Sequence, residues 1–142
     1  MNTELVDPKE YEQARAQLGP SFVRILSYFR EDGTKSVDAI EGAMRDRDSA
    51  ALVIPAHTIK GESRQFGSRA LGTLAEKIEM TARRCVEERT GPEELALDIA
   101  NLRSCFSLTL AELEKHSVPA QAQSRPNDFG RKAPASLTSI TR

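Results

Sequence analysis

The chain has 142 residues, 29% charged and 5% aromatic, with no Trp and a net charge of -1. That length predicts one domain able to bury a core without disulfides or metals. The even charge balance gives no basis for nucleic-acid binding through phosphate contacts, and no segment approaches the roughly 20 apolar residues of a membrane span.

The opening residues MNTELVDPKEYEQ are polar and carry no apolar signal core, so a cytoplasmic protein with reduced thiols is expected. Asp7 and Pro8 read as an N-cap and a first-turn proline, starting a short helix that ends near Gly19. In 20-PSFVRILSYFRED-32, Phe22, Ile25, Leu26 and Phe29 repeat at helical spacing, and Gly33 is expected to stop that helix. Val37, Ile40 and Met44 make the next stripe. Asp46 or Asp48 can cap the helix that follows, which ends near Gly67.

Ser68 can cap the next helix, with Leu71, Leu74, Ala75, Ile78 and Ala82 on one side. Thr90-Gly91-Pro92 reads as a break, with Pro92 at a first helical position. The last helix carries Leu95, Ile99, Leu102, Phe106 and Leu113 and runs to about Lys115. Short loops favour antiparallel neighbours. The expected fold is all-α: an up-down antiparallel four-helix bundle with one or two short N-terminal helices, spanning residues 5–116. Residues 117–142 lose periodicity and are rich in Pro, Ser, Ala and Gln, with Arg125, Arg131, Lys132 and Arg142 against Asp128. A disordered basic tail is expected there.

Cys85 and Cys105 fall on separate predicted helices and read as packing residues, since no histidine stands near them to complete a zinc site. No metal ligand set is apparent. His116, at the end of the last helix, reads as a residue in a favourable C-terminal dipole or an ordinary surface residue.

His57 is different. At about 100° per residue, Leu52, Ile59 and Phe66 lie on the side opposite to it, about 180–220° away. The stripe faces the core, so His57 stands on the solvent face with Lys60, Gly61 and Arg64. Gly61 costs a helix interior about 1 kcal/mol relative to Ala, and on a solvated face its missing side chain clears space beside the imidazole. Val53, Ile54, Gln65 and Ser68 fall on the same side. Apolar Val53 and Ile54 there suggest a docking patch, with Arg64, Gln65 and Ser68 completing it.

An exposed neutral imidazole is a nucleophile near physiological pH. Attack on a phosphoryl group would make a phosphoramidate, with Lys60 as a positive charge for the phosphoryl oxygens. Hydrolytic chemistry fits less well, because Ser63 turns toward the core and Glu62 turns away from His57.

The stretch 57-HTIKGESRQFG-67 resembles the signature of histidine phosphotransfer (HPt) domains: a histidine, then x-x-Lys-Gly, then a glycine six residues beyond. LGPSFVRILSYF, 44-MRDRDSAALVIPAH-57 and the stripe Leu71–Ile78 are also similar to that family. The resemblance implies a four-helix bundle without ATPase activity. His57 would accept a phosphoryl group from a receiver-domain aspartate and pass it on, with Lys60 as charge partner and Gly61 as clearance residue. It implies hybrid sensor histidine kinase and response-regulator receiver domains as partners, with Mg2+ on the receiver and no cofactor on a monomeric carrier. Neither nucleic acid nor membrane is implied. Glu62 replaces a small residue usual in the family, Arg64 is bulkier than typical, and Glu79 stands where some members place a glutamine against the imidazole.

Two other readings use the same residues. A helical-bundle adaptor would bind receiver or kinase domains through the Val53–Ile54–Gly61 face without phosphorylation. A sensor-kinase dimerisation pair would need an ATP-binding domain, for which the roughly 85 residues after His57 leave too little chain.

Overall fold

The structure, a computed structural model, describes residues 1–117. Five helices follow one another: α1 (Pro8–Leu18), α2 (Phe22–Arg45), α3 (Ser49–Gln65), α4 (Arg69–Glu88) and α5 (Ala96–Lys115). Short 3-10 turns at Gly19–Ser21 and Glu93–Leu95 lead into α2 and α5. α2 packs on α3, α3 on α4, α4 on α5, and α5 returns to α2, closing a four-helix bundle. The expected all-α up-down bundle is the observed architecture, with one short N-terminal helix.

The residues that form each helix also set its phase. Asp7 caps α1, accepting from the backbone N–H groups of Lys9 and Glu10. Asp48, of the two expected caps, accepts from Ala51 N–H and starts α3. The expected core residues Leu52, Ile59, Phe66, Leu71, Ala75, Ile78, Leu95, Leu102 and Leu113 are buried. Phe66 sits between Phe22 and Phe29 at ring-centroid distances of 5.7 and 5.4 Å, and Phe29 continues to Phe106 at 5.6 Å. This aromatic chain pins the C-terminal end of α3 inward, which turns its opposite face to solvent.

Gly33 does not stop a helix. α2 runs through it for 24 residues, so the segments expected at 20–32 and 34–48 are one element. The glycine is buried under Phe106, whose Cζ would lie 2.6 Å from an added β-carbon. The residue is small because α5 approaches there, not because the chain turns. Pro92 also differs from expectation: it precedes the 3-10 turn, and α5 begins only at Ala96. Ser68 occupies the N-cap position of α4 but its hydroxyl caps nothing.

α1 straps one end of the bundle. Asp7 N–H donates to the Gly67 carbonyl at 2.9 Å, Tyr11 Oη donates to the Leu113 carbonyl at 3.3 Å, and Arg15 donates to the His116 carbonyl at 2.7 Å. Gly67, at φ +73, makes the α3–α4 turn and would not accept a side chain against Glu10. The tail expected at 117–142 lies outside the described residues beyond Ser117. No described helix is long and apolar enough to cross a membrane.

Candidate functional site

His57 occupies the middle of α3, on the face opposite Leu52, Ile59 and Phe66. Its side chain is 61% exposed. The core phase of α3 therefore places the imidazole in solvent, as its helical position predicts. α3 continues through Pro55 below the histidine and through Gly61 above it.

The ring is held from α4. Nδ1 of His57 stands 3.1 Å from Oε2 of Glu79, a carboxyl whose side chain is only 3% exposed. The same oxygen accepts from Nε and Nη2 of Arg83 at 3.0 and 2.9 Å. The other oxygen pairs with Lys60 Nζ at 2.8 Å. Burial alone would push the Glu79 carboxyl up. The donors Lys60, Arg83 and His57 overrule it and hold the group at about 2. Glu79 is thus a carboxylate at neutral pH. A carboxylate only accepts, so Nδ1 carries the ring proton and Nε2 keeps its lone pair. Nε2 has no protein partner among the described residues.

Gly61 lies exposed one turn along, and an added β-carbon there would meet nothing within 4 Å. Neither a close helix crossing nor a helix end explains this glycine. The bundle does not need the space, which is open to solvent.

Lys60 is brought to the site, but not as the free solvent-facing ammonium that its helical position suggested. It is 18% exposed and tied to Glu79. Arg64 is exposed, with its stem over Gly72 and its guanidinium on Glu76 at 2.8 Å, so its charge is shared within the chain. Ile54 is 76% exposed. Val53, one turn before His57 on α3, is half-buried and lines a shallow groove with Ala50, Arg83, Val86 and Glu87. Gln65 is exposed but faces a different groove, lined by Glu10, Gln13, Ala14 and Gln17 of α1. Ser68 is fully buried, so it offers no surface to a partner. The wheel failed there because α3 ends at Gln65, and the turn at Gly67 breaks the phase that would have carried Ser68 outward.

Arg83 escaped the sequence reading altogether. Its signal was present: it follows Glu79 at i+4, the spacing that pairs charges on one helix face. Glu62, beside Gly61, turns to α2. Its Oε1 is buried without a hydrogen-bond partner, and burial followed by the nearby Asp32 charge raises its carboxyl to about 7. His116 ends α5, its Nε2 3.1 Å from Glu112. Cys85 and Cys105 are free thiols. Among the described residues no cluster of three or more His, Cys, Asp or Glu side chains could hold a metal ion.

Comparison with known proteins places these features in context. A family model described as Hpt domain matches residues 24–122. Among solved structures, histidine-containing phosphotransfer protein B from Pseudomonas aeruginosa PAO1 superposes with a TM-score of 0.67 at 20% identity, covering 78% of this chain and 91% of that one. No curated protein sequence gave a match.

Proposed function

The chain belongs to the Hpt domain family, and on that premise we propose that it is a phosphoryl carrier in a two-component phosphorelay with His57 as the phosphoacceptor. The observation that carries this reading is the ring's setting: Nδ1 bound to a buried carboxylate, the ring largely in solvent, and bare backbone at Gly61 beside it. Each feature has a chemical use. The Glu79 hydrogen bond selects the tautomer in which the outward nitrogen, Nε2, is nucleophilic. Exposure lets a second protein bring an acyl phosphate to it. Gly61 leaves room for that protein's backbone.

The donor in this reading is an aspartyl phosphate on the receiver domain of a hybrid sensor kinase, and the acceptor is the receiver domain of a response regulator. Mg2+ belongs to the receiver in both complexes. The carrier is monomeric and performs no ATP chemistry. Lys60 supports the phosphoryl group through charge. Its pairing with Glu79 means that it must share that charge between the carboxylate and the incoming oxygens. Ile54 and the groove at Val53 and Val86 supply apolar contact for the receiver, and Arg64 its charged edge. Gln65 lies on the α1 side and contributes at the rim, whereas Ser68, buried at the turn, takes no part.

The test uses purified receiver domains carrying labelled aspartyl phosphate. Label should pass to the wild-type chain and not to His57→Gln, whose circular dichroism should be unchanged. ATP alone should label neither. A chain that binds receivers tightly yet never takes label would instead act as an adaptor.

A further inference from the structure

Resting on that phosphocarrier reading, we infer that Glu79 is a positioning residue for the second half of the reaction: it keeps a proton on Nδ1 of phosphorylated His57, so that the imidazole always departs as a neutral leaving group. The inference follows from what happens to the ring in each step. On acceptance, the Nε2 lone pair forms an N–P bond while the P–O bond of the aspartyl phosphate breaks, and the aspartate leaves with that electron pair. The ring then holds phosphorus on Nε2 and hydrogen on Nδ1, and is a cation. On donation, a receiver carboxylate oxygen forms a P–O bond, the N–P electron pair returns to Nε2, and neutral imidazole remains with its Nδ1 proton in place. No proton need enter or leave in either direction. If Nδ1 lost its proton between the steps, the leaving group would be an imidazolide anion and transfer would slow.

Glu79 Oε2 lies 3.1 Å from Nδ1, and because the carboxyl is buried, water screens the pair from the ring's side only. An opposite charge at that range favours the cationic ring. A neutral amide at the same place would orient the ring as well but would supply no charge. The carboxylate is already ionised far below neutral pH, so it acts across the whole working range. The other charged groups on the carboxylate that holds the ring are Lys60 of α3 and Arg83 of α4, while Arg64 of α3 and Glu76 of α4, further along, pair with each other. Lys60 and Arg83 oppose the cationic ring, and the single negative charge of Glu79, shared between them, offsets them in part. Arg64 and Glu76 offset one another. Removing the Glu79 charge therefore acts twice: the ring loses its counter-ion and faces two uncompensated cations.

The experiment phosphorylates the full chain with potassium phosphoramidate and follows the phosphohistidine by 31P and 15N NMR against pH. In Glu79→Gln the midpoint for loss of the Nδ1 proton should fall by about one unit or more relative to wild type. In Arg83→Met, which removes an opposing cation from a largely exposed position, it should rise. Transfer to a receiver should follow the same midpoints. Equal midpoints in wild type and Glu79→Gln would overturn the inference and leave the phosphocarrier reading standing. If Glu79→Gln did not fold, an unmoved Arg83→Met midpoint would overturn it instead. A chain that takes no phosphoryl group on His57 overturns both.

Discussion

Nδ1 of His57 on α3 and Oε2 of Glu79 on α4 meet at 3.1 Å, and that pair joins the solvent-facing ring to the buried side of the bundle. Lys60 and Arg83 converge on the same carboxylate, so Glu79 ties α3 to α4 at this point.

The acid limb of the stability curve should report this. Glu79 is held at about 2 in the folded chain, below the value of about 4.3 for an unperturbed glutamate. A depressed carboxyl stabilises fully above the unfolded value, and its contribution fades as pH falls toward the folded one. Urea midpoints of the wild type should therefore drop between about pH 4.5 and 2 by more than those of Glu79→Gln. Parallel curves for the two proteins would show that the carboxylate contributes nothing there. Glu79→Ala should cost about 3 kcal/mol at neutral pH, because it leaves half-buried Lys60 without its counter-charge.

Two helix-interior glycines should respond to alanine with opposite signs. Gly33→Ala places a β-carbon against the Phe106 ring and should destabilise by about 1–3 kcal/mol. Gly61→Ala meets open space and should stabilise by up to about 1 kcal/mol. Gly61→Gln should keep the fold and slow receiver-to-carrier transfer at least tenfold, about 1.4 kcal/mol in the barrier. Chemical denaturation and rapid-quench transfer measure the two effects separately. Equal destabilisation by both alanines would contradict the packing described.

These two glycines also show how far a one-dimensional reading reaches. The exposure of Gly61 could be read from the sequence because the stripe Leu52, Ile59 and Phe66 fixes the phase of α3 locally. Gly33 could not, since its reason is a ring on α5, more than seventy residues away in the chain. A glycine that ends a helix and one that admits a neighbour look alike in sequence. The same limit applies at the site. The exposure of His57 follows from phase, but its partner comes from α4, and the rotation of α4 against α3 decides whether Glu79 reaches the ring. Ser68 erred for a related reason: wheel angles hold only while the helix lasts. Lys60 was placed on the right side, but its pairing to a buried acid depends on that same interhelical rotation.

Glu62 should give a pH effect of the opposite sense. Its carboxyl is raised to about 7 by burial and by Asp32. The unfolded chain ionises first, so stability should decline as pH rises from about 4.5 through 7. Glu62→Gln, which keeps the size and removes the ionisation, should lessen that decline and be more stable than wild type at pH 8. Thermal melts of both proteins at pH 5 and pH 8 measure it. An unchanged difference between the two pH values would show that Glu62 titrates normally.

The most direct measurement is the position of the phosphoryl group on the chain after exposure to a phosphorylated receiver domain. Nitrogen–phosphorus coupling in the 15N-labelled protein should place phosphorus on Nε2 of His57, with hydrogen still on Nδ1. Phosphorus on Nδ1, on His116, or on no histidine at all would contradict the account.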